Sequence, residues 1–234
     1  MSERAFITGI LGQDGSYLNE ALLDGGVETM GSDRTAVFDG RSGADRKTFD
    51  ICDSRQVRAW IADWKPTLIY HLAAVHGSSE APTEDAADLF AQSLKVHAVG
   101  LANLLEGIRA EAPKARLVFA ASSRVFGLPV ESPQDENTSM APISPYGISK
   151  AAGIGICAHY RSQYGIHASS AILYNHESPR RPPGYVTQKI VRAGVAIKRR
   201  QQYRLVLGNL GARVDWAHAA DHIRALRLIA DVSS

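Results

Sequence analysis

A chain of 234 residues is long enough to bury one sizeable core with at most a small second lobe, and its 45% hydrophobic and 21% charged residues exclude a disordered chain. The net charge of +2 excludes a strongly basic nucleic-acid surface, and the pairs Arg180-Arg181 and Arg199-Arg200 read as local solvated faces. Two cysteines, Cys52 and Cys157, make no disulfide framework, and no apolar run reaches membrane length or forms a signal-peptide core, so the expected location is the cytoplasm.

Short apolar runs alternate with helix-length amphipathic segments. Arg4–Thr8 reads as a first strand, followed by a glycine-rich turn and a helix over Ser16–Asp24 that stops at Gly25-Gly26. Val27–Ser32 is a weak second strand, and Asp33–Asp53 is a long, polar, irregular connection. Thr67–Leu72 and Arg116–Ala121 are buried strands on either side of Ala91–Ala110, whose apolar residues Leu94, Ala98, Leu101, Leu105 and Ile108 recur at helical spacing. A helix over Ser144–Tyr164 and a strand over Ala168–Leu173 complete the alternation, which a Pro/Arg-rich stretch, Ser178–Gly184, then breaks. This order predicts an α/β fold with a doubly wound parallel Rossmann sheet over 1–174. A small substrate lobe is expected to begin at 175–234, with 219–231 packing back on the sheet domain.

Gly9, Gly12 and Gly15 form G-x-x-G-x-x-G between the first strand and its helix. At that position glycines permit a tight turn and let backbone N–H groups approach a pyrophosphate at the helix N-terminus. The dinucleotide is left open between NAD and NADP. Asp33 closes the second strand, where an acid would hold a ribose 2′-hydroxyl, whereas the adjacent Arg34 would suit a 2′-phosphate.

Tyr146 and Lys150 stand four apart at a helix start and so share a face. A lysine ammonium beside a tyrosine is expected to lower the phenol pKa, so that the phenolate takes a hydroxyl proton as hydride leaves the carbon. Tyr185 and Lys189 have the same spacing but lie in the irregular stretch. Ser122 and Ser123, by contrast, end the strand Arg116–Ala121, and the carboxyl ends of parallel strands are where ligands bind. The catalytic expectation is therefore Ser122, Tyr146 and Lys150.

Together these residues resemble the GDP-mannose 4,6-dehydratase group of the extended short-chain dehydrogenases. The likeness runs through Ile7–Leu18 (ITGILGQDGSYL), Ile69–Ala74 (IYHLAA), Ser144–Lys150 (SPYGISK), Tyr174–Arg181 (YNHESPRR), Val186–Ile190 (VTQKI) and Leu207–His218 (LGNLGARVDWAH). It implies oxidation at C4 of a GDP-sugar, loss of the C5 proton and the C6 water, and return of hydride to C6. It implies NADP, against Asp33, which argues for NAD. It adds Gln13, Asp14, Asp53, Leu72, Ala73 and Ala74 to the cofactor site, and Asn175 and Lys189 to the substrate and its phosphates. The helices Ala91–Ala110 and Ser144–Tyr164 would form a four-helix face in a homodimer or homotetramer.

The chain departs from that pattern in four places. The family's C5 base is a glutamate two residues past the Ser/Thr, where this chain has Arg124, a permanent donor that cannot abstract a proton. Val214 replaces a phosphate-binding arginine, with Arg213 beside it as a substitute, and Ile143 replaces another arginine. The chain also stops at Ser234, where relatives continue through more of the substrate lobe. Glu131, Asp135 and Glu136 are downstream acids best read as a solvated loop. C4 epimerisation or 4-keto reduction needs no C5 base, so Arg124, with Ser123, becomes a candidate contact to the substrate. A silent dinucleotide-binding relative is the third alternative.

Overall fold

The computed structural model describes residues 3–33, 36–41, 45–75 and 85–232. Five parallel strands make up most of one sheet: β1 (Arg4–Thr8), β2 (Glu28–Asp33), β5 (Leu68–His71), β6 (Arg116–Ser122) and β7 (Ala168–Leu173). β3 (Ala36–Asp39) and β4 (Asp45–Thr48) extend the edge beside β2, giving the order β4-β3-β2-β1-β5-β6-β7. Both edge pairings are antiparallel. The connection expected to be irregular over Asp33–Asp53 therefore carries two short strands, of which β4 is the sheet edge. Each spans only four residues, too few to show a clear apolar period in the sequence.

Period-two alternation divides the core. Phe6, Ile69, Leu117 and Phe119 point to one face and meet Val57, Ile61, Leu104, Leu105 and Ile108 from α2 (Ser54–Trp64) and α4 (Leu101–Glu111). Ala5, Ile7, Leu68, Tyr70 and Val118 point to the other, against α1 (Gln13–Asp24) and α7 (Ala219–Asp231). The Phe6 register, opposite Met30 on β2 and Ile69 on β5, keeps the two sets apart.

The segment Ala91–Ala110 is not one helix. α3 (Ala86–Leu94) runs into a π turn at Lys95–Gly100 before α4 begins. Two carbonyls of that turn take donors from outside the helix: Lys95 accepts from the Cys52 thiol at 3.4 Å, and Val96 hydrogen-bonds His71 Nε2 at 3.1 Å. Side chains inserted into the backbone ladder are a standard cause of such irregularity. α5 (Pro145–Tyr164) starts where Ser144 Oγ accepts the Gly147 N–H at 3.1 Å with proline in the first turn, and ends at Gly165 with φ +64°.

Beyond the large sheet, β8 (Asn175–Glu177) pairs in parallel with β9 (Trp216–His218), and α6 (Val186–Lys198) lies between them in sequence. α7 then packs against α1 and against β6 and β7. Arg116 on β6 fastens its end, donating to Ala230 O at 2.9 Å and Asp231 Oδ1 at 2.8 Å. Among the described residues no helix is long and apolar enough to cross a membrane. Leu226 of α7 is fully buried, so Leu226→Ala is expected to cost about 2–5 kcal/mol in urea unfolding while leaving a single transition.

Candidate active site

The crevice opens at the carboxyl ends of β1, β5 and β6. Gly9 leaves β1 with φ +77°, and its N–H donates to Ser32 O at 2.6 Å. A Cβ on Gly15 would lie 2.1 Å from Gly9 O, so the first turn of α1 can approach the loop this closely only without a side chain. Gly12 caps α1 with no side chain over the helix end, and the N–H groups of that first turn are the kind that bind anions. Leu72, Ala73 and Ala74 leave β5 beside this loop. Thr8 links the two strands, its hydroxyl taking the Ala73 N–H at 3.1 Å and donating to His71 Nδ1 at 2.7 Å. Burial holds His71 neutral, with its pKa pushed down to about 3.

Gln13 and Asp14 turn towards β8. Gln13 Oε1 accepts from Ser178 Oγ at 2.8 Å, and its amide donates to His176 O at 3.3 Å. His176 faces two acceptors, Asp14 Oδ2 at 2.9 Å through Nε2 and Tyr174 O at 2.7 Å through Nδ1. Only the imidazolium donates to both. Desolvation opposes charge on each partner, yet the mutual hydrogen bond and attraction win. His176 is raised above 6.5 and Asp14 lowered below 3.8. His222 stacks on His176 at 4.3 Å and is lowered by its own burial and by that neighbouring cation.

Ser122, Tyr146 and Lys150 converge at the end of β6. Ser122 hydrogen-bonds the Tyr146 side chain. Lys150 is fully buried, donating from Nζ to Ala120 O at 2.6 Å, with Nζ 5.6 Å from the Tyr146 ring centroid and 4.7 Å from that of Phe119. The expected lowering of the phenol pKa is not what the geometry gives. Burial pushes Tyr146 up to about 12, against the pull of the Ser122 hydrogen bond, and pushes Lys150 down to about 7. The ammonium donates to the Ala120 carbonyl, and desolvation penalises both charged forms.

Other residues singled out in the sequence are placed more peripherally. Asp33 ends β2, and Arg34 lies outside the described residues. Asp53 caps α2, accepting from the N–H groups of Arg55 at 2.9 Å and Gln56 at 3.1 Å, and those backbone bonds lower its pKa. Ser123 and Arg124 begin the short 3-10 turn after β6, with Arg124 exposed, as are Asn175 and Arg213. Lys189 lines a cavity of about 430 Å³ with Arg192, Arg204, Ala193, Leu205 and Val206. Glu131, Asp135 and Glu136 are all exposed, and Asp135 accepts from the Asn137 N–H at 2.9 Å.

Several residues at the site were not marked by sequence reasoning. Tyr185, set aside with the irregular stretch, lies close enough to Tyr146 to raise its pKa, and its ring carries the Arg181 guanidinium at 3.8 Å. Arg181 pairs with Glu177 at 3.3 Å. His176, Ser178 and Arg181 all fall in the YNHESPRR run, so a signal existed but did not say which side chains turn inward. His97, buried in the π turn, had no signal beyond its helical position.

The His176–Asp14 pair predicts a sign. A raised histidine stabilises the fold fully below 6.5, and that contribution fades as pH climbs through the folded value; a lowered aspartate contributes above 3.8 and fades as pH drops through its folded value. The clamp is charged between these two folded values. Imidazole NMR is expected to give His176 a midpoint above 6.5 in the parent and below 6.5 in Asp14→Asn, where only burial and minor influences remain.

A sequence profile described as GDP-mannose 4,6 dehydratase matches residues 6–233. The chain is 37% identical to a GDP-mannose 4,6-dehydratase of Sinorhizobium fredii over 95% of its length and 66% of the relative's. It is 38% identical to GDP-mannose 4,6 dehydratase 2 of Caenorhabditis elegans over 95% of its length and 62% of the relative's. The chain thus spans somewhat under two thirds of these relatives. Among solved structures, a dTDP-glucose 4,6-dehydratase from Bacillus anthracis in complex with NAD superposes with a TM-score of 0.79 at 21% identity, covering 98% of this chain and 72% of that one. A UDP-glucuronic acid 4-epimerase from Bacillus cereus gives 0.80 at 20% identity, covering 99% and 74%. These last two likenesses are of fold. The match over nearly the whole sequence shows that the chain belongs to the GDP-mannose 4,6-dehydratase family.

Proposed function

We propose that the protein oxidises C4 of a GDP-linked hexose with a nicotinamide dinucleotide, as the opening step of GDP-mannose 4,6-dehydration. The observation that carries this reading is the convergence of Ser122, Tyr146 and Lys150 beside the glycine loop. The loop fits a dinucleotide, because the crowding of Gly9 against Gly15 leaves bare backbone at a helix N-terminus that no side chain caps. Bound there, the dinucleotide supplies the hydride acceptor for C4 and the hydride returned at C6. In this scheme Ser122 holds the sugar oxygen and Tyr146 receives its proton. The charged form of Lys150 offsets part of the cost of a phenolate in so dry a site. The cationic cavity of Lys189, Arg192 and Arg204 supports recognition of the diphosphate.

Asp33 supports NAD, since a carboxylate accepts from a 2′-hydroxyl and repels a 2′-phosphate. Exposed Val99, Ile148 and Tyr164, on the π turn and α5, support a homodimer or homotetramer through the long helices. The second reading, C4 epimerisation or 4-keto reduction, is favoured by Arg124. The carboxylates of Asp14 and Glu177 are already engaged, Asp14 with His176 and Glu177 with Arg181.

Incubation with GDP-mannose and oxidised cofactor, followed by mass spectrometry and proton NMR, tests both. Loss of one water with a new C6 methyl signal is the expected outcome. An isomer of unchanged mass would establish epimerisation, and absence of turnover would sink the proposal for this substrate. Tyr146→Phe is expected to lower kcat about 10²–10⁴-fold while retaining dinucleotide binding. In fluorescence titrations Asp33→Asn is expected to shift preference towards NADP by about tenfold, or about 1.4 kcal/mol.

A further inference from the structure

We propose that His97 is a positioning residue for Tyr146, holding the tyrosine through one polarised hydrogen-bond chain that begins at the Val75 backbone. The proposal rests on the reading of Tyr146 as the proton-transfer group. His97 lies fully buried in the π turn between α3 and α4. Its Nε2 accepts the Val75 N–H at 3.1 Å, and its Nδ1 lies 2.8 Å from Ser149 Oγ. Ser149 Oγ in turn lies 2.9 Å from the carbonyl oxygen of Tyr146.

The direction of every proton in this chain follows from its ends. The Val75 amide only donates, so Nε2 carries no proton. The Tyr146 carbonyl only accepts, so the single Ser149 hydroxyl proton points to it, and Ser149 must accept from Nδ1–H. His97 is therefore fixed as the Nδ1–H tautomer. Its ring also stands edge-on to the Tyr146 phenol, with centroids 5.3 Å apart and planes at 88°. The backbone and the ring of one tyrosine are thus both held by one imidazole.

A buried histidine satisfied by core partners is the ordinary alternative. What distinguishes His97 is where its bonds end. Val75 belongs to the segment that leaves β5 past Ala73, whose N–H bonds Thr8 beside the glycine loop. Tyr146 opens α5, and the His97 carbonyl lies 3.3 Å from where a Cβ on Gly153 would sit, so the π turn is seated closely on that helix. The imidazole ties the cofactor side of the crevice to the proton-transfer side.

Two variants and two readouts test this. His97→Leu puts an apolar side chain of comparable bulk in its place and removes both polar contacts, whereas His97→Gln offers an amide oxygen to Val75 and an amide N–H to Ser149. In tyrosine labelled with ¹³C at Cζ, the Tyr146 signal is assigned by its loss in Tyr146→Phe. That signal is expected to shift and broaden in His97→Leu and to stay near the parent in His97→Gln. With GDP-mannose, His97→Leu is expected to lower kcat about ten- to a hundredfold with little change in KM, and His97→Gln to recover most of it. If His97→Leu does not fold, Ser149→Ala cuts the next link and is expected to move the same signal. A folded His97→Leu with an unchanged Tyr146 signal, or Ser149→Ala without effect on it where the leucine variant is lost, overturns the proposal. If the parent shows no turnover, the functional reading fails, and the NMR comparison still decides whether His97 positions the tyrosine.

Discussion

The carbonyl of Gly9 and the α-carbon of Gly15 are packed so closely that a methyl group has no room between them, and the organisation of the crevice follows from that contact. It draws the first turn of α1 over the end of β1, at the place where β2 continues the sheet on one side and β5 on the other. Strand order reverses there, and ligands of doubly wound sheets bind outside the strand ends at such a reversal. The same turn directs Gln13 and Asp14 towards β8, so one steric constraint aligns both the anion-binding helix end and the polar clamp beside it.

Within this crevice burial, rather than pairing, governs most of the titratable groups. Lys150, Tyr146 and His71 are all driven towards their neutral forms, each with hydrogen bonds satisfied by backbone or hydroxyl partners. His176 and Asp14 are the contrasting pair: each has the other within hydrogen-bond reach, and charge survives on both. The site therefore combines a buried cluster driven towards neutrality, Tyr146 with Lys150, with a separate, locked ion pair. Arg124, exposed at the rim and a donor only, belongs to neither set.

The central strands were legible because residues such as Phe6, Ile69 and Val118 are buried on both faces of the sheet and leave unbroken apolar runs. The helix expected over Ser144–Tyr164 is α5, whose ends are fixed by cap chemistry at Ser144 with Pro145 and at Gly165. The π turn was not legible, because the apolar spacing of Leu94, Leu101 and Leu105 continues through it. Its cause lies in donors from Cys52 and His71, remote in sequence. β3 and β4 escaped notice because each spans only four residues. At the site, the convergence of Ser122, Tyr146 and Lys150 could be expected from spacing and strand ends, but their protonation could not. Spacing records that Lys150 and Tyr146 share a face; it does not record how dry that face is, or that Ala120 O would take the ammonium.

The bond from Ser178 to Gln13 joins residues 165 positions apart, and the bond from His176 to Asp14 joins residues 162 apart. Contacts of such separation close late, because the entropy of a long loop opposes them until the intervening sheet has formed. During synthesis from the N-terminus, β1, α1 and β2 emerge well before the residues that fasten the glycine loop. The nascent chain thus carries its glycine loop long before the loop has its partners, and the cradle is completed only as the segment around Ser178 arrives.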